Sequence, residues 1–135
     1  MLHLEIVTPE EKIFSDTVQD VYLPGADGEM GIYEMHAALV TALRPGELRY
    51  KKDGEVIPLA IGTGFAEVTQ EKVTVLTDLA VDADAIDAEA VEKAKLAAEE
   101  ALANVDSTDA EELEFQQAII ERSVAQLRLK ERRGR

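Results

Sequence analysis

The chain contains no cysteine. A disulfide framework, a thiolate metal site and a thiol nucleophile are all excluded, and the composition suits a reducing compartment. Histidine is almost as scarce: His3 and His36 are the only two, and neither has a partner at metal-ligand spacing. The three serines, Ser15, Ser107 and Ser123, lie outside any sequence that would present a nucleophile on a sharp strand-to-helix turn. Long apolar runs are missing as well. The longest mainly apolar stretch, Ala37 to Leu43, is far shorter than the ~20 residues a helix needs to cross a bilayer. The start, MLHLEIVTPEE, lacks a basic segment followed by an apolar one, so no export signal is expected. The expectation is a soluble, non-catalytic chain without cofactor or metal, reaching a membrane only through a partner.

Basic residues are in deficit, 14 against 28 acidic, for a net charge of −14. That balance argues against a nucleic-acid surface and favours solubility or a partner with a basic patch. The deficit is uneven. Met1 to Glu121 carries 8 basic and 27 acidic residues, whereas Arg122 to Arg135 carries 6 basic and 1 acidic. The tail is thus a separate electrostatic object. At 135 residues the chain has room for one domain, or a small domain with an appendage.

Two periodicities divide it. Up to about Asp82 the pattern alternates in short pieces. Leu2, Leu4 and Ile6 alternate with His3, Glu5 and Val7, and Val73 and Val75 with Thr74 and Leu76, which predicts short strands. Turn signals recur at Thr8-Pro9, Pro24-Gly25, Ala26-Asp27-Gly28, Arg44-Pro45-Gly46 and Asp53-Gly54, the rhythm of an antiparallel sandwich or barrel. Lys52-Asp53-Gly54-Glu55 is the best hairpin candidate, because Asp-Gly accepts the positive φ of a tight turn. Pro58 is expected on an edge or at a bulge, since it cannot donate to a ladder. Gly62-Thr63-Gly64 resembles a phosphate loop but leads into strand-like Phe65 to Val68. With no helix N-terminus to hold an anion, close backbone packing is the better account.

From about Asp84 glycine and proline vanish until Gly134, and a helical pattern takes over. Ile86, Ala90, Ala94, Ala97, Ala98 and Ala101 are expected to share one face. Asp87 is the expected N-cap, with Ile86 and Val91 as its hydrophobic staple. Asn104 to Asp109 breaks the run, and either Thr108 with Glu111 or Asp109 with Glu112 can cap a second helix, whose seam would hold Leu113, Ile120, Val124 and Leu127. The fold expected is α+β, an N-terminal antiparallel β-sandwich over residues 1–83 followed by a C-terminal antiparallel α-helical hairpin over 84–135. An alanine-rich helix face removes little apolar area, so the hairpin should dock weakly, by a net of only a few kcal/mol.

Pro24 to Leu48, PGADGEMGIYEMHAALVTALRPGEL, reads as a shaped loop between strands, set by Gly25, Gly28 and Gly31 and by Pro24 and Pro45. It resembles the epsilon subunit of bacterial F-type ATP synthases, whose pattern runs approximately PG-x-x-GE-[LM]-GI-x-x-x-HA-x-L. Gly28-Glu29-Met30-Gly31-Ile32, His36-Ala37 and Leu39 match it, and Leu4 to Phe14 and Gly64 to Leu76 fit the same family in order and spacing. The chain departs from it at Glu34-Met35, where similar proteins often carry Pro-Gly, and at Ala38, often Pro.

The resemblance implies a central-stalk rotor subunit of a proton-translocating ATP synthase at the cytoplasmic face of the bacterial inner membrane. Its partners would be the gamma subunit of the central shaft, the polar loops of the c-ring and, when the hairpin extends, the catalytic beta subunit. Glu29, Met30, Gly31, Ile32 and His36 would meet the ring. Arg122, Arg128, Lys130, Arg132 and Arg133 would meet an acidic segment of the catalytic subunit and resist ATP hydrolysis. The plain physical reading of those cations is a helix end favourable to the dipole; that of Glu29 is a soluble loop tip. Some similar proteins bind ATP through Ile/Leu-Asp-x-x-Arg-Ala. Here Ile86-Asp87-Ala88-Glu89-Ala90-Val91 lacks the arginine, so weak or no ATP binding is expected. The competing reading is a free-standing adaptor that presents a helical hairpin to another protein.

Overall fold

Leu2, Leu4 and Ile6 are fully buried, while His3, Glu5 and Val7 between them are half-buried, as a strand with one face on a core requires. In the computed structural model, which describes residues 1–35 and 37–133, the same alternation repeats along the N-terminal region. The strands are β1 (Leu2–Val7), β2 (Lys12–Val18), β3 (Asp20–Gly25), β4 (Gly28–Ile32), β5 (Leu39–Leu43), β6 (Gly46–Lys52), β7 (Glu55–Ile61), β8 (Gly64–Val68), β9 (Lys72–Thr77) and β10 (Ala80–Val81). Hydrogen bonds connect them in the order β10-β7-β6-β3-β5-β8-β9-β1-β2, with β4 added to β3. The path doubles over where β3 and β5 meet at a single pair, Gly25 opposite Leu43, giving two layers with a shared core of Leu4, Ile6, Val21, Leu23, Leu48 and Val75 among others.

The opposite seam is closed by side chains. Phe14 of β2 and Tyr50 of β6 lie 4.6 Å apart, centroid to centroid, and Lys52 pairs with Asp16. Pairing is antiparallel except between β1 and β9, which run parallel.

Lys52 and Glu55 close the β6–β7 hairpin, and Asp53 and Gly54 take φ of 52° and 80°, the tight turn that Asp-Gly predicts. Pro58 pairs with Arg49 of β6. β10 meets β7 only at Ala60 and Ile61, so Pro58 sits on an open edge. At Gly62 a Cβ would overlap the Asp78 carboxylate, and at Gly64 it would overlap the carbonyl of Leu76, so this segment is a close-packing device. Pro24 to Leu48 is largely not loop. It holds the end of β3, all of β4 and β5 and the start of β6, with Ala26-Asp27 turning between the paired Gly25 and Gly28.

A 3-10 turn at Ala83–Ala85 leads to α1 (Ala88–Ala103) and α2 (Ala110–Arg133). Asp87 caps α1, accepting from Ala90 N at 3.1 Å, and its staple residues Ile86 and Val91 join one apolar cluster. Of the two capping possibilities for α2, Asp109 acts: its carboxylate accepts from Glu112 N at 3.1 Å, while Thr108 is engaged with Asp106. The packed face of α1 matches the expected one only in part. Of the expected residues Ile86, Ala98 and Ala101 are buried or half-buried, whereas Ala90, Ala94 and Ala97 are exposed, and Val91, Lys95 and Leu102, with Val105 beyond the helix, are half-buried instead. Alanine is common all round this helix, so its few larger residues set which side packs. In α2, Leu113, Ile120, Val124 and Leu127 are half-buried, and the deepest residues are Ser123 and Leu129. The hairpin meets the sandwich through α2, which lies against β6, β7 and the 3-10 turn.

Candidate functional site

Of the residues assigned to ring contact, Glu29, Met30, Gly31 and Ile32 lie on β4, which pairs with β3 and leaves its other edge open among the described residues. Glu29 is exposed and accepts from Arg49 Nη2 at 2.7 Å. The same guanidinium lies 5.2 Å from the centroid of the Tyr22 ring, a cation–π geometry, and Tyr22 meets Tyr33 edge-on at 6.1 Å. The hydrogen bond between the two phenols pushes the Tyr22 hydroxyl above the ordinary tyrosine pKa. Gly31 makes this cluster possible, because a Cβ there would lie 3.2 Å from Tyr33 Oη and 3.3 Å from the Tyr22 ring. Met30 is half-buried against the core and Ile32 is fully buried. Ile32 therefore gives Glu29 no exposed apolar neighbour on that side, because β4 alternates and sends Ile32 inward. Ile32 can serve a contact only by anchoring its strand. His36 lies outside the described residues.

The five tail cations assigned to the catalytic-subunit contact are brought together along α2, and four of them are already engaged. Arg122 pairs with Asp78 at 3.7 Å, Arg132 with Glu47 and Arg133 with Asp84 at 3.8 Å, while Lys130 Nζ donates to the Ala83 carbonyl at 3.1 Å. A pair of reversed polarity, Arg44 with Glu121 at 3.4 Å, adds to them. Arg128 is exposed beside Arg44 and Pro45 and makes no ion pair among the described residues. Where the end of α2 crosses β7, a cleft of ≈ 490 Å³ is lined by Glu47, Arg49, Asp84, Leu129, Arg132 and Arg133. Acids and bases face each other across it.

Sequence reasoning missed a third surface. Register aligns Ala42, Phe65, Leu76 and Val7 across β5, β8, β9 and β1. Phe65 and Leu76 are 59% and 52% exposed, and Val40 on the same face of β5 is 71% exposed. An exposed apolar row on the outward face of a sandwich has the chemistry on which partners commonly dock. The alternation of Val73 and Val75 with Leu76 carried the signal, since Leu76 falls on the polar phase.

Nothing in the described residues assembles catalytic chemistry. His3 Nε2 lies 3.0 Å from Ser15 Oγ as a cross-strand hydrogen bond on an exposed face, and no cluster of three or more potential metal ligands occurs among the described residues. At the start of the hairpin Asp87 is spent as a helix cap, and Glu89 pairs with Lys93 at 3.7 Å. No described helix is long and apolar enough to cross a membrane.

Residues 1–83 match the family model described as the beta-sandwich domain of the ATP synthase delta/epsilon chain. The ATP synthase epsilon chain of Herpetosiphon aurantiacus is 42% identical over 94% of this chain and 96% of its own length. That of Geotalea daltonii is 39% identical over 99% and 96%. Among solved structures, a chain of the Euglena gracilis mitochondrial ATP synthase, OSCP/F1/c-ring, superposes with a TM-score of 0.75 at 26% identity, covering 92% of this chain and 78% of that one. A chain of the Tetrahymena thermophila mitochondrial ATP synthase central stalk/c-ring, at 16% identity and a TM-score of 0.63 over 99% of this chain and 96% of that one, shares the fold.

Proposed function

The chain belongs to the ATP synthase delta/epsilon chain family as an epsilon subunit, a non-catalytic stalk component, and from that premise we propose that it couples ring to shaft and restrains ATP hydrolysis. In this reading the sandwich is the stiff link of a proton-translocating complex. The apolar row of Val40, Phe65 and Leu76 seats against the gamma subunit of the shaft, and the open β4 edge with Glu29, Met30 and Gly31 meets the polar loops of the c-ring. The subunit is peripheral, at the cytoplasmic face of the bacterial inner membrane, and is held there by the complex.

The observation that carries the proposal is that the sandwich presents two outward surfaces of different chemistry while its inward faces are fully buried. A part that transmits torque needs two attachments on one rigid body. The hairpin supplies the restraint. Extended, it offers Arg122, Arg128, Lys130, Arg132 and Arg133 to an acidic surface of the catalytic beta subunit and resists rotation in the hydrolysis direction.

Removing residues 122–135 from the subunit in a reconstituted complex tests both parts. Assembly should persist and ATP hydrolysis should rise. Unchanged hydrolysis removes the restraint, and a full-length subunit that does not join the complex removes the coupling role.

A further inference from the structure

The cations proposed to grip the catalytic subunit are already held by this chain's own carboxylates. Arg122 is bound at Asp78, in the turn between β9 and β10; Arg132 at Glu47, near the start of β6; and Arg133 at Asp84, in the 3-10 turn. The contacts run from Arg122 to Arg133 of α2, about 16 Å of helix. The backbone of the sandwich is shaped for one of them, since Gly62 leaves the space that the Asp78 carboxylate fills.

The apolar part of the docking is small by comparison. Leu129, 2% exposed, is the one large side chain that α2 contributes to its cluster with Ala60, Ala83 and Ile86. The charge contacts themselves are partly in water, with Arg122, Arg132 and Arg133 side chains 36%, 53% and 67% exposed, so each is weak and screened by salt.

From this arrangement we infer that the docked hairpin is an electrostatic latch in which Asp78, Glu47 and Asp84 compete with any outside acidic surface for the same guanidinium groups. Asp78 and Glu47 on the sandwich, with Asp84 on the turn that leads into the hairpin, act as an internal decoy for the partner's acids. Ionic strength sets how tightly the decoy holds. Arg128, exposed and without an ion pair among the described residues, is the cation from which an incoming acidic surface begins the exchange. The competition rests on the restraint proposed above, whereas the latch is a property of the isolated chain.

Because the chain has no cysteine, nitroxide labels at Thr17→Cys and Ala103→Cys, both exposed, report the distance between sandwich and hairpin without background. Raising salt from about 0.05 M to 1 M should increase the undocked-to-docked ratio roughly tenfold. Combining Glu47→Gln, Asp78→Asn and Asp84→Asn should produce the same opening at low salt and abolish most of the salt response. An interspin distribution unmoved by both salt and the triple variant overturns the latch. In the reconstituted complex the triple variant should inhibit hydrolysis more strongly than the natural sequence. If it opens in isolation and inhibition does not change, the latch stands and the restraint on hydrolysis falls.

Discussion

The sandwich and the hairpin solve the problem of burial in opposite ways. In the sandwich, Leu2, Leu4, Ile6, Leu23, Ile32, Leu48 and Ile61 are each fully buried, and every layer is tied to the next by a ladder. In the hairpin α1 buries only Ala98, α2 only Ser123 and Leu129, and three ion pairs tie α2 to the sandwich, with a fourth to the 3-10 turn. The first region gains its stability from area removed from water, which no partner readily replaces. The second depends on contacts that another acidic surface could make equally well. A body that must carry torque and an arm that must change partner call for that division.

The sharpest way to break this contrast is to remove the same kind of side chain from each region. Ile6→Ala deletes a fully buried residue of β1 and should cost about 2–5 kcal/mol of global stability, seen as a fall in the thermal midpoint. Leu129→Ala removes the plug of the hairpin, and the loss should appear as undocking. Amide exchange should accelerate in α2 while the sandwich melts almost where it did. Equal falls in the sandwich midpoint would mean that the two regions form one cooperative unit.

A smaller effect is expected at the turn after β4. Met35 holds φ at 67° and is 64% exposed, so it bears the strain of a left-handed backbone, roughly 1–2 kcal/mol for a residue with a Cβ, with no burial to offset it. This is the position where similar proteins often carry glycine. Met35→Gly should raise stability by about 0.5–1 kcal/mol after the extra freedom of glycine in the unfolded chain is counted. The denaturant midpoint of sandwich unfolding measures it, and a decrease would show that the Met35 side chain contributes more than its strain costs.

How much of this could be read beforehand follows the same division. Where one strand face is buried, alternation states the answer, as at Leu2, Leu4 and Ile6, and where a local bond decides, the residue type does, as at Asp53-Gly54 and Asp87. Pro24 to Leu48 was harder. β4 has two glycines in five residues and owes its extended form to β3 alone, a pairing that its own composition does not announce. The phase of α1 was hidden because alanine fits either side, and Val91, Leu102 and Val105 decide it only by meeting α2. The candidate site was legible as charge in the tail but not as geometry. Asp78, Glu47 and Asp84 are spread over thirty-eight positions of sequence, and only the fold sets them along one helix. Alternation puts Leu76 on the outward phase of β9, but only register across β5, β8 and β9 lines it up with Phe65 as a row.

The smallest expected effects separate the two regions by pH. Asp16 of β2 sits below the ordinary aspartate range, first through its hydrogen bond from Lys52 and then through the amide of Thr17, and the same bond raises Lys52. Asp106, in the turn between the helices, is lowered by the amide and then the hydroxyl of Thr108. A carboxyl depressed by folding stabilises fully above its unfolded pKa, about 4, and loses that contribution as pH falls through its folded value. Lys52 works in the other direction, contributing below the ordinary lysine pKa and losing its part as pH rises through its folded one. Asp16→Asn should therefore flatten the acid limb of sandwich unfolding below about pH 4, and Asp106→Asn should flatten only that of the helical signal. Both carboxyls are open to solvent, so the shifts will be slight, and their value lies in where they register. If Asp106→Asn moves the acid limb of the sandwich, the hairpin is not an independent arm.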